Sequence, residues 1–470
     1  MKVSLIFTPN QLNPNFRELA FRDDSLGFVP PLSLMHVAAL MEQAGAQVEI
    51  IDMVAERLSY PAVLDRLRRF SPDLLGFTIT TSSFHAVLTW INRFKADTGL
   101  PILAGGEHVR LYPHETMSHS AIDFCIVGEA EYPIPLFISA FKNRKPYSGI
   151  KSFGYRSAGA VFIDCSVKAI DDLDSIPFPA RHLIKNNLYE NIFTRRKNFT
   201  AMISSRGCPF NCAFCCSNHQ LYRTRSPQNF VDEIELNLRE YDIHDFDIYD
   251  STFTADRQRV MEICRLIQKR QLPVSFTVRS RVDVVNRDMI DALRSAGCHA
   301  IMYGIESSNP EILAAMHKGI SPGQVMETVA YTKSRGIETL GFFMFGFPGE
   351  TLATIEDTID FSLRLPLDYA QYTLLLPFPE TEIYSYYRSR GLEDYWAEYT
   401  LDASRERLIE FIDTAVTRQQ ASAMVSLAYK RFYFRPGIIW HRLLRLRSTR
   451  ELKRLAGGAF GILTNSRDND

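Results

Sequence analysis

The chain has 470 residues, 46% hydrophobic and 23% charged, which is enough for two or three domains with full-size cores and excludes a disordered chain or a collagen-like fibre. Its 53 basic and 54 acidic side chains give a formal net charge of −1, so no global field draws it to nucleic acid or to an anionic membrane. No apolar run reaches the roughly 18 residues of a spanning helix. The apolar start, residues 1–7, breaks at Thr8-Pro9-Asn10-Gln11 without a small-residue cleavage site, so it reads as a buried strand and the cytoplasm is the expected compartment.

In chain order, the first 145 residues alternate short apolar strands with helical periodicities. Val3-Ser4-Leu5-Ile6-Phe7 reads as a strand. Leu34, Val37, Ala38 and Met41 recur at helical spacing, and Gly45 supplies the residue that ends that helix. Val48-Glu49-Ile50-Ile51-Asp52 is the second strand. Leu64, Leu67 and Phe70 mark the next helix, and Leu74-Leu75-Gly76-Phe77-Thr78 the third strand. A helix carrying Phe84, Val87, Leu88, Ile91 and Phe94 leads to strands at 101–106 and 124–128. This alternation predicts an α/β fold with a doubly wound parallel sheet of the Rossmann or flavodoxin type. Such sheets bind ligands at the carboxyl ends of their strands, where this chain carries Thr80-Thr81-Ser82, Gly105-Gly106-Glu107 and Gly128-Glu129.

Residues 146–195 have weak periodicity and many turn residues, Ile176-Pro177-Phe178-Pro179 among them, and are expected to form an irregular linker. A second βα series follows, with strands near 200–204, 246–250, 275–279, 300–306, 339–346 and 371–376. Ser321-Pro322 with Gln324 reads as the N-cap, N1 and N3 of one of its helices. Six βα units over residues 196–392 predict a partial barrel of the TIM type. Residues 393–470 lose the alternation and are expected to form a helical C-terminal cap. Tyr384, Tyr386, Tyr387, Tyr395, Trp396 and Tyr399 suit a flat or apolar substrate and equally a packed helical core. The basic, amphipathic segment 441–454 reads as a solvated helix packed by its leucines, with weak peripheral membrane contact as the other reading.

Cys125, Cys165, Cys264 and Cys298 are scattered, whereas Cys208, Cys212, Cys215 and Cys216 fall within nine residues. A secreted disulfide scaffold would be shorter and would spread its cysteines, so the cluster suggests metal. Cys208-Pro209-Phe210-Asn211-Cys212-Ala213-Phe214-Cys215 is a C-x3-C-x2-C pattern in the loop after the first strand of the second series, the end at which βα barrels carry chemistry. A zinc site would pair it with a second Cys or His pair, and none is evident. Thiolates this close suit an iron–sulfur cluster. Three thiolates on a four-iron cube leave one iron open, and an open metal position marks a catalytic site. Cys216 is not needed for the pattern and reads as a buried thiol.

With Ser205-Arg206-Gly207 before it and Phe214 before its last cysteine, this motif resembles that of the radical S-adenosylmethionine (SAM) superfamily. The preceding α/β domain resembles its cobalamin-binding subgroup, in Pro30-Pro31-Leu32-Ser33-Leu34, Gly105-Gly106-Glu107-His108 and Val127-Gly128-Glu129-Ala130-Glu131. The resemblance covers about residues 1–390 and continues at Asp250-Ser251-Thr252-Phe253-Thr254, Arg279-Ser280-Arg281, Gly304-Ile305-Glu306-Ser307-Ser308 and Gly346-Phe347-Pro348-Gly349-Glu350. Ser308 stands where the family's segment has glycine, and Pro377-Phe378-Pro379-Glu380-Thr381, which resembles a further family segment, has Glu380 in place of glycine, which puts the backbone at Glu380 in doubt.

The resemblance implies an enzyme with a [4Fe–4S] cluster on Cys208, Cys212 and Cys215, a SAM site at Phe214, Asp250, Arg281, Glu306, Ser307 and Gly346, and cobalamin against Pro31, Leu32, Thr80, Thr81, Ser82, Gly105, Gly106 and Glu129. On chemistry alone Asp250 and Glu306 can accept from hydroxyls or an ammonium, and Arg279 or Arg281 can bind a carboxylate; for Glu306 a structural salt bridge is the alternative. None of the eleven histidines lies in a D-x-H-x-x-G motif, so no protein histidine is expected on cobalt; His36, His108 and His114 are in the right domain but the wrong contexts. The implied reaction is radical methyl transfer to an unactivated carbon of a small-molecule or natural-product substrate. The alternatives are a cobalamin-dependent radical cyclisation or rearrangement, as in porphyrin cyclases, and a non-catalytic Fe–S protein. An external flavodoxin- or ferredoxin-type electron donor is implied, and nucleic acid is not expected as a partner.

Overall fold

The structure, a computed structural model, describes residues 1–9, 12–17, 27–166, 168–196 and 198–437. The basic segment 441–454 lies outside the described residues. The chain divides into two compact units: one of Met1–Pro14, Phe28–Tyr189 and Leu392–Arg407, the other of Asn15–Gly27, Glu190–Gly391 and Leu408–Asp470 as far as these are described.

The first unit holds seven strands: β1 (Lys2–Phe7), β2 (Gln47–Asp52), β3 (Leu74–Thr78), β4 (Ile102–Gly105), β5 (Phe124–Ile126), β6 (Phe153–Ser157) and β7 (Ala160–Ile163). They form one sheet in the order β2-β1-β3-β4-β5-β6-β7, parallel through β5 and antiparallel at β6 and β7. The parallel strands are buried on both faces, as near-continuous apolar runs require. The helix Leu32–Gln43 covers one face with Leu34, Met35, Ala38 and Met41, and Gly45 leaves it at φ +79°. The doubly wound prediction holds here. The expected irregular linker differs, because β6 and β7 extend the sheet by a hairpin. Its turn, Ala158-Gly159, takes φ of +49° and +82°, the conformation that lets a two-residue loop match the sheet twist.

The second unit has six parallel strands, β8 (Phe199–Met202), β11 (Asp245–Ile248), β12 (Ser275–Ser280), β13 (Cys298–Glu306), β14 (Glu338–Phe345) and β15 (Tyr369–Leu374), in the order β15-β14-β13-β12-β11-β8; between them β9 (Ser205–Arg206) and β10 (Arg223–Thr224) form a small antiparallel ribbon. β8 and β15 stand at opposite ends of that order, which makes the expected partial barrel. Side chains alternate along β13: Ile301, Tyr303 and Ile305 join the large core under the helices, while Ala300 and Met302 face a smaller cluster with Phe193 and Leu340. Ser321 caps the helix Pro322–Ser334, accepting from the Gln324 N–H at 3.3 Å.

The region after residue 392 divides. The helix Tyr395–Leu401 belongs to the first unit, whereas the helix Arg418–Tyr433 packs on β15. Tyr395, Trp396 and Tyr399 are buried to 2% exposure or less, so of the two readings of this aromatic stretch they follow the packed core. Among the described residues no helix is long and apolar enough to cross a membrane.

Candidate active site

The cysteine loop leaves β8 through Ser204 and β9. Asp250, wholly buried, accepts from the Ser204 N–H (2.6 Å) and hydroxyl (2.5 Å) and from the Ser205 N–H (3.1 Å) and hydroxyl (2.7 Å). Its carboxylate is turned to the strand exit. Gly207 follows at φ +74°, where a Cβ would meet the Gln220 carbonyl oxygen at 2.5 Å, so the turn into Cys208 admits glycine alone. The loop is held from outside by backbone bonds from the Ala213 N–H to Met316 O (3.1 Å) and from the Ile383 N–H to Ala213 O (3.0 Å).

Cys212 is buried, while Cys208, Cys215 and Phe214 are half-buried; none of the cysteines is in a disulfide. Cys208 Sγ lies 3.6 Å from the Thr252 hydroxyl. Arg281 donates to Cys212 Sγ at 3.2 Å, to both oxygens of Asp283 at 2.9 and 2.7 Å, and to the Lys318 carbonyl. Lys318 in turn donates to Glu306 Oε1 at 2.9 Å and lies 5.9 Å from the Phe214 ring centre. Burial pushes the Cys212 thiol up, and the charges of Lys318 and Arg281 pull it back towards the thiolate.

Glu306 ends β13 at φ +68°, beside a register shift against β14 between Gly304 and Glu306. A bulge of this kind re-aims a side chain. At Gly304 a Cβ would stand 2.6 Å from Glu306 Oε1 and 2.7 Å from Lys318 Nζ, so the pair occupies the space that glycine leaves. Arg281, Glu306, Phe214 and Cys212 thus come together. Ser307, 1% exposed, spends its hydroxyl on Thr358 (3.3 Å) and the Asn309 N–H (3.2 Å). Gly346 lies under the Phe411 ring, where a Cβ would approach within 2.3 Å, and its N–H donates to Glu350 Oε2 at 2.5 Å. Burial pushes Glu350 up to about 7 against the bonds from the Gly346 and Phe347 N–H groups. Glu380 keeps φ +62°, so the turn survives without its glycine. Lys318 escaped the sequence reading, since twelve residues and a helix separate it from Glu306 and no local pattern pairs them.

Among the described residues no three His, Cys, Asp or Glu side chains are placed to hold one metal ion. A cubane places its thiolates on different irons, further apart than the ligands of one ion, and the chemistry of the donor set fits it: three thiols on one loop with a guanidinium donating to sulfur.

In the first unit the residues expected at cobalamin share the carboxyl edge of the sheet, where the order reverses around β1 and β3. Thr80 is exposed, its hydroxyl bonded to those of Ser82 (3.0 Å) and Ser83 (2.9 Å). Gly105 and Gly106 are half-buried, and at Gly106 (φ +107°) a Cβ would meet Ile79 O at 2.5 Å. Glu129 accepts from the Ile170 N–H at 2.9 Å. Pro31 is buried at the start of the helix Leu32–Gln43 and Leu32 half-buried. Thr81 is buried, and its hydroxyl is taken by His108 at 3.1 Å. The other nitrogen of His108 meets the Thr400 hydroxyl at 2.8 Å. The half-open, close-approach edge formed by Thr80, Ser82, Gly105 and Gly106 fits a large flat ligand.

Comparison with known proteins agrees with both units. Residues 202–362 match the radical SAM superfamily and residues 20–138 the B12 binding domain. The chain is 33% identical over 417 residues to the uncharacterized methyltransferase PH0819 of Pyrococcus horikoshii, spanning 87% of this chain and 89% of that one. It is 25% identical to the anaerobic magnesium-protoporphyrin IX monomethyl ester cyclase of Cereibacter sphaeroides, over 88% of this chain and 68% of that one. The solved structure of the radical SAM methyltransferase TsrM from Kitasatospora setae shares the fold, with a TM-score of 0.64 at 20% identity over 81% of this chain and 73% of that one. The chain belongs to the cobalamin-binding-domain-containing radical SAM enzymes. Its cofactors are the [4Fe–4S] cluster, SAM and cobalamin.

Proposed function

We propose that this enzyme transfers a methyl group to an unactivated carbon of a small-molecule or natural-product substrate in the cytoplasm, with electrons from a flavodoxin- or ferredoxin-type donor. When bound, the [4Fe–4S] cluster would supply the electron for reductive cleavage of SAM, with methionine released, and cobalamin would carry the methyl group. The observation that carries the reading is the loop of three thiols at the carboxyl end of β8, in a chain whose other unit matches the B12 binding domain. Cys208, Cys212 and Cys215 hold the cluster, and the turn pinned by Asp250 presents them. Phe214, Glu306 and the backbone at Ser307 and Gly346 line the SAM side, and Lys318 fixes the Glu306 carboxylate. Thr80, Ser82, Gly105, Gly106 and Glu129 would hold the corrinoid, and no protein histidine is expected on cobalt, because none of the histidines lies in a D-x-H-x-x-G motif.

The test is anaerobic incubation with reductant, cobalamin, candidate metabolites and SAM whose methyl group is deuterated. A product carrying the label supports methyl transfer. A dehydrogenated or ring-closed product without label would replace it with the cyclase chemistry named for the Cereibacter relative.

A further inference from the structure

Arg281 joins three segments that are distant in sequence. Its guanidinium lies 4.3 Å from the Phe210 ring centre and 3.2 Å from Cys212 Sγ, both on the cysteine loop. A fork on Asp283, with Nε and Nη2 at 2.9 and 2.7 Å from the two carboxylate oxygens, fixes its plane. Nη2 also donates to the Lys318 carbonyl, which ties in the turn that carries the Glu306 partner. The side chain is 8% exposed, so the contact with sulfur is screened from water.

We propose that Arg281 is a positioning residue for the cluster rather than a SAM ligand: with its plane locked by Asp283, its Nη1–H donates to the Cys212 thiolate and raises the cluster's reduction potential. The inference rests on the reading of the three thiols as cluster ligands. A reduced cluster carries one more negative charge than the oxidised one. A donor aimed at a ligating sulfur therefore stabilises the reduced form more, and hydrogen bonds to sulfur are among the levers that set such potentials. Lysine would keep the charge at Arg281 and lose the fork that aims it.

The experiment is an anaerobic redox titration of the reconstituted full chain, followed by electron paramagnetic resonance, for wild type, Arg281→Gln and Arg281→Lys, with iron counted in each. Arg281→Gln is expected to lower the midpoint potential and Arg281→Lys to lower it less, with iron content kept at the wild-type level. Midpoints unchanged or raised in both variants would overturn the proposal. If Arg281→Gln fails to fold, Arg281→Lys still decides it: a lowered midpoint supports the proposal and an unchanged or raised one overturns it. A wild-type chain that takes up no iron would refute the cluster reading itself, a different outcome from a filled cluster whose potential ignores Arg281.

Discussion

Lys318 and Glu306 form an ion pair 2.9 Å long whose side chains are only 6% and 10% exposed. Removing one partner of such a pair leaves an uncompensated buried charge, at a cost of about 3–5 kcal/mol. Lys318→Met and Glu306→Ala should each lower the urea midpoint accordingly, and a Lys318→Met/Glu306→Leu double variant should cost less than the two single effects together. Additive losses would show that the two side chains are not coupled. Glu306→Gln keeps the shape and one acceptor, and on the scale of a charged hydrogen bond it should weaken SAM binding about tenfold with iron content unchanged. Intact SAM affinity alongside lower stability would reduce Glu306 to a structural partner of Lys318.

Asp250 sets the exit of β8. Asp250→Ala strands two N–H groups and two hydroxyls of Ser204 and Ser205 in a buried site. With about 1–3 kcal/mol for each unsatisfied group, partly relieved by relaxation, the variant should lose at least about 3 kcal/mol and retain less iron after gel filtration. Iron retention equal to wild type would separate the turn from the cluster loop.

Gly346 and Phe411 should behave as a coupled pair. Alanine at Gly346 is strained at φ +98° and collides with the Phe411 ring. Gly346→Ala should therefore destabilise markedly in the wild type and much less in a Phe411→Ala background. Thermal melts of the four proteins would show it, and equal losses in both backgrounds would mean that the ring does not govern the position.

His108 gives the first unit a defined acid sensitivity. Burial, aided by the neighbouring His85 and His119, lowers its pKa from 6.5 to about 3. As pH falls through that window the unfolded chain takes up the proton first, so the stability present above about pH 6.5 is lost progressively down to about pH 3, at up to about 1.4 kcal/mol per pH unit. His108→Gln should flatten this slope. Melts of the variant between about pH 7.5 and pH 5 that fall as steeply as wild type would contradict the assignment.

The strands were legible because parallel sheets are written as apolar runs, and Leu74–Thr78 falls at the expected residues. The hairpin of β6 and β7 was missed because Ala160, Val161 and Phe162 lie exposed at a sheet edge and carry no burial pattern; the φ-positive Ala158-Gly159 turn was the available signal. The return of the helix Tyr395–Leu401 to the first unit is a non-local event that local periodicity does not encode. At the site, the motif gave the cysteine loop and Glu306. The partners Lys318, Asp283 and Phe411 meet it only through tertiary folding, and so do the bonds that hold Asp250 against Ser204 and Ser205.

The central claim is that three thiols carry a cluster that cleaves SAM. It is tested most directly by measuring 5′-deoxyadenosine from anaerobic, reduced protein with SAM, in wild type and in the Cys208→Ala/Cys212→Ala/Cys215→Ala variant. The account predicts about four irons and 5′-deoxyadenosine in the wild type, and neither in the folded triple variant. Formation of 5′-deoxyadenosine by the triple variant at the wild-type rate would contradict it.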